Sequence, residues 1–123
     1  LFFDKKKFEE IGLFDEQIFL YCEEPDATKR FLKKGYRTSF EKEMTYRHLI
    51  DGRNDLSDFT FNAGIASSSY YFKKFNMNYS FFLRQKVFSF MIKYHIHKLF
   101  GQNDKAQSAE YFLKKFREVL NNH

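Results

Sequence analysis

The sequence predicts an α/β chain that is mostly helical, and three observations predict it. Apolar residues recur at helical spacing from Leu56 to the C-terminus. The first 50 residues instead hold two aromatic, extended-looking runs, Gln17 to Tyr21 and Tyr36 to Tyr46, of the kind that suits strands. Glycines sit just past each short helical pattern, at Gly12, Gly35 and Gly101. With 123 residues, 43% of them hydrophobic, the chain has enough apolar surface for one domain-sized unit.

Each element follows from local chemistry. Lys5 to Ile11 reads as a short helix with Phe8 and Ile11 on one face, stopped by Gly12. A second helix begins at Glu23 or Glu24, where acids meet the unpaired N–H groups and positive dipole end of a helix start. Pro25 suits its first turn and Gly35 its stop. Ala27 and Phe31, four apart, face the core, leaving Lys29, Lys33 and Lys34 in solvent. Ile50 to Ser57 is polar, contains Gly52, and reads as a loop and boundary. Beyond it the pattern predicts helices over Phe59 to Ala66, Ser68 to Phe75, Tyr79 to Leu99 and Lys105 to Leu120, with Asp104 as N-cap of the last.

Composition narrows the function classes. A lone Cys22 forms no intrachain disulfide and fits a reducing compartment. Arg84, Lys86, Lys93 and Lys98 interrupt the most apolar stretch, so no run reaches the roughly 18 apolar residues of a spanning helix. Leu1-Phe2-Phe3 runs straight into Asp4-Lys5-Lys6-Lys7, unlike a signal peptide, and the missing initiator Met leads us to expect part of a longer protein. The net charge of +5 is uneven: residues 1–50 carry ten Lys/Arg against ten Asp/Glu, residues 51–123 eleven against six. A neutral, acid-bearing segment (1–50) and a basic, aromatic helical tail (51–123) therefore suggest two jobs.

Ile11 to Arg30 carries the chemistry. Gly12 precedes Phe14-Asp15-Glu16, an aromatic run follows, and Glu23, Glu24 and Asp26 open a helix. Carboxylates held ionised at a helix start beside aromatic residues suit proton abstraction or hydroxyl binding. The segment resembles the acceptor-side motif of family 2 glycosyltransferases, especially bacterial rhamnosyltransferase-like members. Those run Gly-Gly-Phe-Asp-Glu, then Phe-Phe-Leu-Tyr-Glu-Asp-x-Asp-Leu-x-x-Arg, then Gly-Tyr and a strand ending in His. The matching residues are Gly12, Phe14, Asp15, Glu16, Phe19, Leu20, Tyr21, Glu23, Glu24, Asp26, Arg30, Gly35, Tyr36 and His48.

The resemblance implies the acceptor side of a GT-A glycosyltransferase fold, with a C-terminal helical tail. In the full-length protein a sugar would pass, with inversion, from a nucleotide-sugar donor to a polysaccharide or lipid-linked glycan. Glu24 would be the general base, in a place where the family more often has Asp. Glu23 would bind acceptor hydroxyls, Asp26 would steady the helix start, and Asp15 and Glu16 would shape the acceptor pocket. His48 would assist a divalent cation, Mg²⁺ or Mn²⁺, shared with a nucleotide-binding half. That half ends in an Asp-x-Asp motif, and this sequence contains no Asp-x-Asp. The chain alone would be inactive.

Lipid-linked acceptors would place the protein in the cytoplasm, peripheral at the inner face of the cell membrane. The tail's Phe72, Phe75, Phe81, Phe82, Phe88, Phe90 and Phe100, mixed with Lys and Arg, read either as core or as a face on anionic lipid. The alternative function is a helix–turn–helix-like nucleic-acid-binding domain over Asn62 to Phe72, in a basic region. That segment offers few Arg, Asn or Gln side chains for base edges. His95 and His97 are spaced to point apart on a helix rather than to share a metal, and Asn78-Tyr79-Ser80 matches a glycosylation sequon.

Overall fold

A computed structural model of the chain describes residues 2–39, 42–43, 45 and 57–123. Five helices occur in order: α1 (Lys5–Glu10), α2 (Glu23–Lys33), α3 (Asp58–Lys74), α4 (Tyr79–Leu99) and α5 (Asn103–Asn121). The mostly helical character stands. No β-strand occurs among the described residues. The run Gln17 to Tyr21 is built of turns and bends and ends with Tyr21 in the left-handed region, at φ 62°. Residues 36–39 are irregular, and residues 40, 41, 44 and 46 of the second expected strand, with His48, lie outside the described residues.

Helix ends follow the glycines. At Gly12, Gly35 and Gly101, φ is 86°, 82° and 67°. Each glycine N–H donates three residues back, to Glu9, Leu32 and Lys98, and the following N–H reaches five back, to Phe8, Phe31 and His97. This paired pattern satisfies the last carbonyls of α1, α2 and α4 and needs a residue without Cβ at the left-handed position. The helix starts differ from expectation in two places. Cys22, at φ 67° and without a side-chain cap bond, precedes α2, so neither Glu23 nor Glu24 is its N-cap. Gln102, not Asp104, precedes α5.

By compactness the chain divides into Leu1–Phe75 and Asn76–His123. In the first unit the core is Ile11, Ala27 and Phe31, with Phe3, Phe8 and Tyr36 packed on it. Phe3 stacks on Phe8 at 4.7 Å and on Phe31 at 5.5 Å, while Phe14 meets Phe8 edge-on at 4.9 Å. Such offset and edge arrangements suit the ring quadrupoles. Of the lysines expected in solvent, Lys29 lies 4.6 Å and Lys33 4.9 Å from the centre of the Phe75 ring.

α3 is continuous where two helices with a turn between them were expected. Its small central residues are the seat of the 18–22 segment, not a break. The Leu20 N–H donates to Ser67 Oγ at 3.2 Å, and Ser68 Oγ donates back to the Ile65 carbonyl at 3.0 Å. Gly64 lies beneath the Tyr21 ring, so close that a Cβ there would meet Tyr21 Cδ2 at 3.0 Å. A helix–turn–helix over Asn62 to Phe72 is therefore absent.

The second unit is an antiparallel helical hairpin. Tyr79, at the start of α4, contacts His123, and Phe90 stacks on Phe112 at 4.9 Å and Phe116 at 5.5 Å. Leu83, Ala106, Ala109, Leu113 and Phe116 are buried. Asn78 caps α4, its side-chain oxygen accepting from the Phe81 N–H at 2.8 Å, which gives the sequon asparagine a structural occupation. His97 Nδ1 pairs with Gln102 Oε1 at 2.9 Å.

Candidate functional site

The candidate residues Asp15, Glu16, Glu23, Glu24 and Asp26 all lie in the first unit, and α2 is what orders them. The i, i+4 spacing puts Asp26 and Arg30 on one side of α2, with Arg30 Nε donating to Asp26 Oδ2 at 2.7 Å. The other two Arg30 nitrogens donate to the backbone carbonyls of Ile11 and Leu13. One planar guanidinium thus ties the start of α2 to the turn that carries Phe14-Asp15-Glu16. Lysine, with a single nitrogen, has no equivalent fork.

A second cation closes the arrangement. Lys74 Nζ, at the C-terminal end of α3, donates to Asp26 Oδ1 and, at 2.6 Å, to Asp15 Oδ2. Tyr70 Oη, one turn earlier on α3, donates to Asp15 Oδ2 at 3.0 Å, and Asp15 Oδ1 accepts from the Gln17 N–H at 2.9 Å. Asp26 is completely buried. It is neither a cap nor a surface ligand: both of its oxygens serve Arg30 and Lys74, and a buried carboxylate persists only when paired in this way.

Titration follows the contacts. The Lys74 ammonium, helped by the Gln17 N–H and Tyr70 hydroxyl, holds the Asp15 carboxyl below its ordinary value, against the opposing effect of burial. Burial works against a charged Lys74, but its bonds to Asp15 and Asp26 outweigh it and raise the ammonium above its ordinary value. The Asp15 carboxylate, by accepting its hydrogen bond, raises the Tyr70 hydroxyl. All three shifts favour the charged carboxylate and ammonium and the neutral phenol.

Above this network lies an open depression of about 520 Å³, lined by Gly12, Leu13, Phe14, Asp15, Glu16, Gln17, Arg30 and Lys74. Asp15 and Glu16 therefore line a concave site, with Arg30 and Lys74 at its wall. Glu23 and Glu24 do not line it. Glu24 is exposed at the start of α2, and Glu23 is half-buried, its Oε2 buried with no hydrogen-bond partner among the described residues. An orphaned carboxylate oxygen calls for a donor such as a hydroxyl. Sequence reasoning missed Tyr70 and Lys74. They belong to the aromatic-basic stretch Tyr70 to Phe75, whose Lys73-Lys74 pair carries no local sign of a contact with distant acids.

His48 lies outside the described residues, and among those described no three His, Cys, Asp or Glu side chains converge as a metal site. Asp15 and Asp26 are already met by the cations Arg30 and Lys74. No known protein family, curated protein or solved structure matches the chain.

Proposed function

We propose that the chain is the acceptor-side segment of an inverting glycosyltransferase of the GT-A type, belonging to a longer protein that supplies the nucleotide-sugar site. The observation that carries this reading is the Arg30 fork. It joins the Gly-x-Phe-Asp-Glu turn to the Glu-Glu-x-Asp helix start, the two parts of the motif on which the resemblance rests. Glu24 is the general base: its carboxylate takes the proton of an acceptor hydroxyl as that oxygen attacks the anomeric carbon. The bond from that carbon to the nucleoside diphosphate breaks with its electron pair on the departing phosphate, so configuration inverts. Glu23, with its orphaned Oε2, binds an acceptor hydroxyl, and Asp15 and Glu16 shape the acceptor depression. Asp26 holds the frame rather than touching substrate. A divalent cation, to which the resemblance assigns His48, would belong to the donor side and neutralise the leaving diphosphate. The acceptor is a polysaccharide or lipid-linked glycan at the cytoplasmic membrane face.

The test uses the natural full-length protein, assayed for nucleoside diphosphate release from a panel of nucleotide sugars with glycan acceptors. Glu24→Gln should keep the folded state and lower turnover by about 10²–10⁴-fold, the contribution of a positioned base. Transfer at the unaltered rate would remove Glu24 from the mechanism, and release from no donor by the unaltered protein would remove the reading itself.

A further inference from the structure

α4 is apolar on two opposite faces, and only one of them is covered by the described residues. Tyr79, Leu83 and Phe90 turn toward α5. At 3.6 residues per turn, Phe81, Phe88, Ile92, Ile96 and Leu99 fall within an arc of about 80° on the far side. Their exposures are 59%, 59%, 41%, 47% and 82%. Phe100, just past the helix, is 71% exposed. Scattered exposed apolar side chains are ordinary, but five in register along a helix of about 31 Å, interrupted within their arc only by Gln85, form a patch.

Charge identifies what covers it. α4 contains Arg84, Lys86, Lys93 and Lys98 and no Asp or Glu. Lys86 and Lys93 fall to one side of the stripe, Arg84 and Lys98 to the other. α5, by contrast, mixes Asp104, Glu110 and Glu118 with its basic residues. A second copy docking α4 on α4 would bring four positive charges against four, with no acid between them. Crossing a bilayer is no alternative, since no helix among the described residues is long and apolar enough. A surface of anionic lipid satisfies both features at once: acyl chains take the stripe, and headgroups meet the flanking cations.

We propose that α4 lies flat on an anionic membrane surface, with Phe81, Phe88, Ile92, Ile96 and Leu99 inserted below the headgroups and Arg84, Lys86, Lys93 and Lys98 at their level. The hairpin's own core is untouched, because Phe90, Phe112 and Phe116 stack on the opposite face. This surface belongs to the second unit and does not depend on the chemistry of the first.

Co-sedimentation of the 123-residue chain with vesicles tests it. Phosphatidylglycerol–phosphatidylcholine vesicles should bind the chain at about 0.1 M salt, pure phosphatidylcholine should not, and about 0.5 M salt should weaken binding as screening shortens. Phe88→Ser with Ile92→Ser should lower partitioning at least about tenfold while the thermal melt stays in place, since both side chains already face solvent. Leu99→Ser, at the most exposed position, repeats the test if the double variant unfolds. Arg84→Gln with Lys98→Gln should cost about fivefold per charge on anionic vesicles. Equal binding to neutral vesicles, or binding to neither, overturns the proposal. So does a dimer that Phe88→Ser dissociates, or retention by duplex DNA in preference to anionic vesicles.

Discussion

Lys74 and Asp26 meet inside the first unit although 48 residues separate them, and Asp26 is the only acid among the described residues with no exposed surface. Their ion pair, shared with Arg30 and Asp15, joins the far end of α3 to α2 and to the turn before it. Two carboxylates face two cations, with Asp26 buried and the other three partly exposed, so removing one charge leaves another with fewer partners.

Asp26→Ala should therefore cost about 3–5 kcal/mol in urea unfolding followed by far-ultraviolet circular dichroism, since it strands Arg30 and leaves Lys74 with Asp15 alone. Lys74→Met should cost less, because Asp26 keeps Arg30 and Asp15 keeps the Gln17 N–H. Asp26→Ala within about 1 kcal/mol of the unaltered protein would show that burial, not pairing, sets the energy of this site.

Arg30→Lys tests the fork. One ammonium can hold Asp26 or a carbonyl of the Ile11–Leu13 turn, but not all three acceptors. Each lost bond to a charged donor is worth about 1.5–3 kcal/mol, and the loss should be local. Amide exchange should quicken across residues 12–17 while α4 and α5 keep their protection. Uniform change across the chain, or none, would deny Arg30 its clamping role.

What could be read from the residues alone divides by sequence distance. The stops of α1, α2 and α4 were legible because a glycine cap is a local event, complete within six residues. The inward face of α2 was legible because Ala27 and Phe31 are one turn apart. The pairing of Asp26 with Lys74 was not legible, because the two lie far apart along the chain. The break expected between Ala66 and Ser68 is absent for the same reason. Small residues break helices in isolation, yet here they make room for Leu20 and Tyr21, which only the fold brings near. The strand expected at Gln17 to Tyr21 failed because aromatic, apolar content marks burial as well as extension, and Ile18 is buried within a turn. The tail's aromatics were split correctly into neither core nor surface by composition. Phe90 is core, and Phe81, Phe88 and Phe100 are exposed.

Asp15 gives a pH prediction with a definite sign. Its folded-state carboxyl is lowered from 3.8, chiefly by Lys74. A depressed carboxyl adds stability that is present above its unfolded value and lost as pH falls through the folded one. The stability gap between the unaltered protein and Asp15→Asn should be full at neutral pH and should close on acidification below about pH 4. Lys74, raised from 10.5, has the opposite sense: its contribution is full below that value and fades as pH rises through the folded one. A gap for Asp15→Asn that widens in acid would contradict the ion pair.

The last prediction concerns Gly64 and Tyr21. Alanine in place of a helical glycine normally gains about 0.8–1 kcal/mol, because the unfolded chain loses freedom. At Gly64 the new methyl would come within 3.0 Å of Tyr21 Cδ2 and 3.3 Å of Cε2, so the ring must give by a few tenths of an ångström. Tyr21 is 56% exposed, which leaves it room to swing, but its left-handed backbone fixes where the swing begins. The two effects should nearly cancel, leaving Gly64→Ala within about 0.5 kcal/mol of the unaltered protein. Tyr21→Asn removes the ring while keeping a residue that tolerates a positive φ. In that background Gly64→Ala should recover close to the full helix gain, giving a coupling of about 0.5–1 kcal/mol in a double-mutant cycle. Strict additivity would mean that the ring yields without resistance, and that the close approach of the 18–22 segment to α3 does not constrain residue 64.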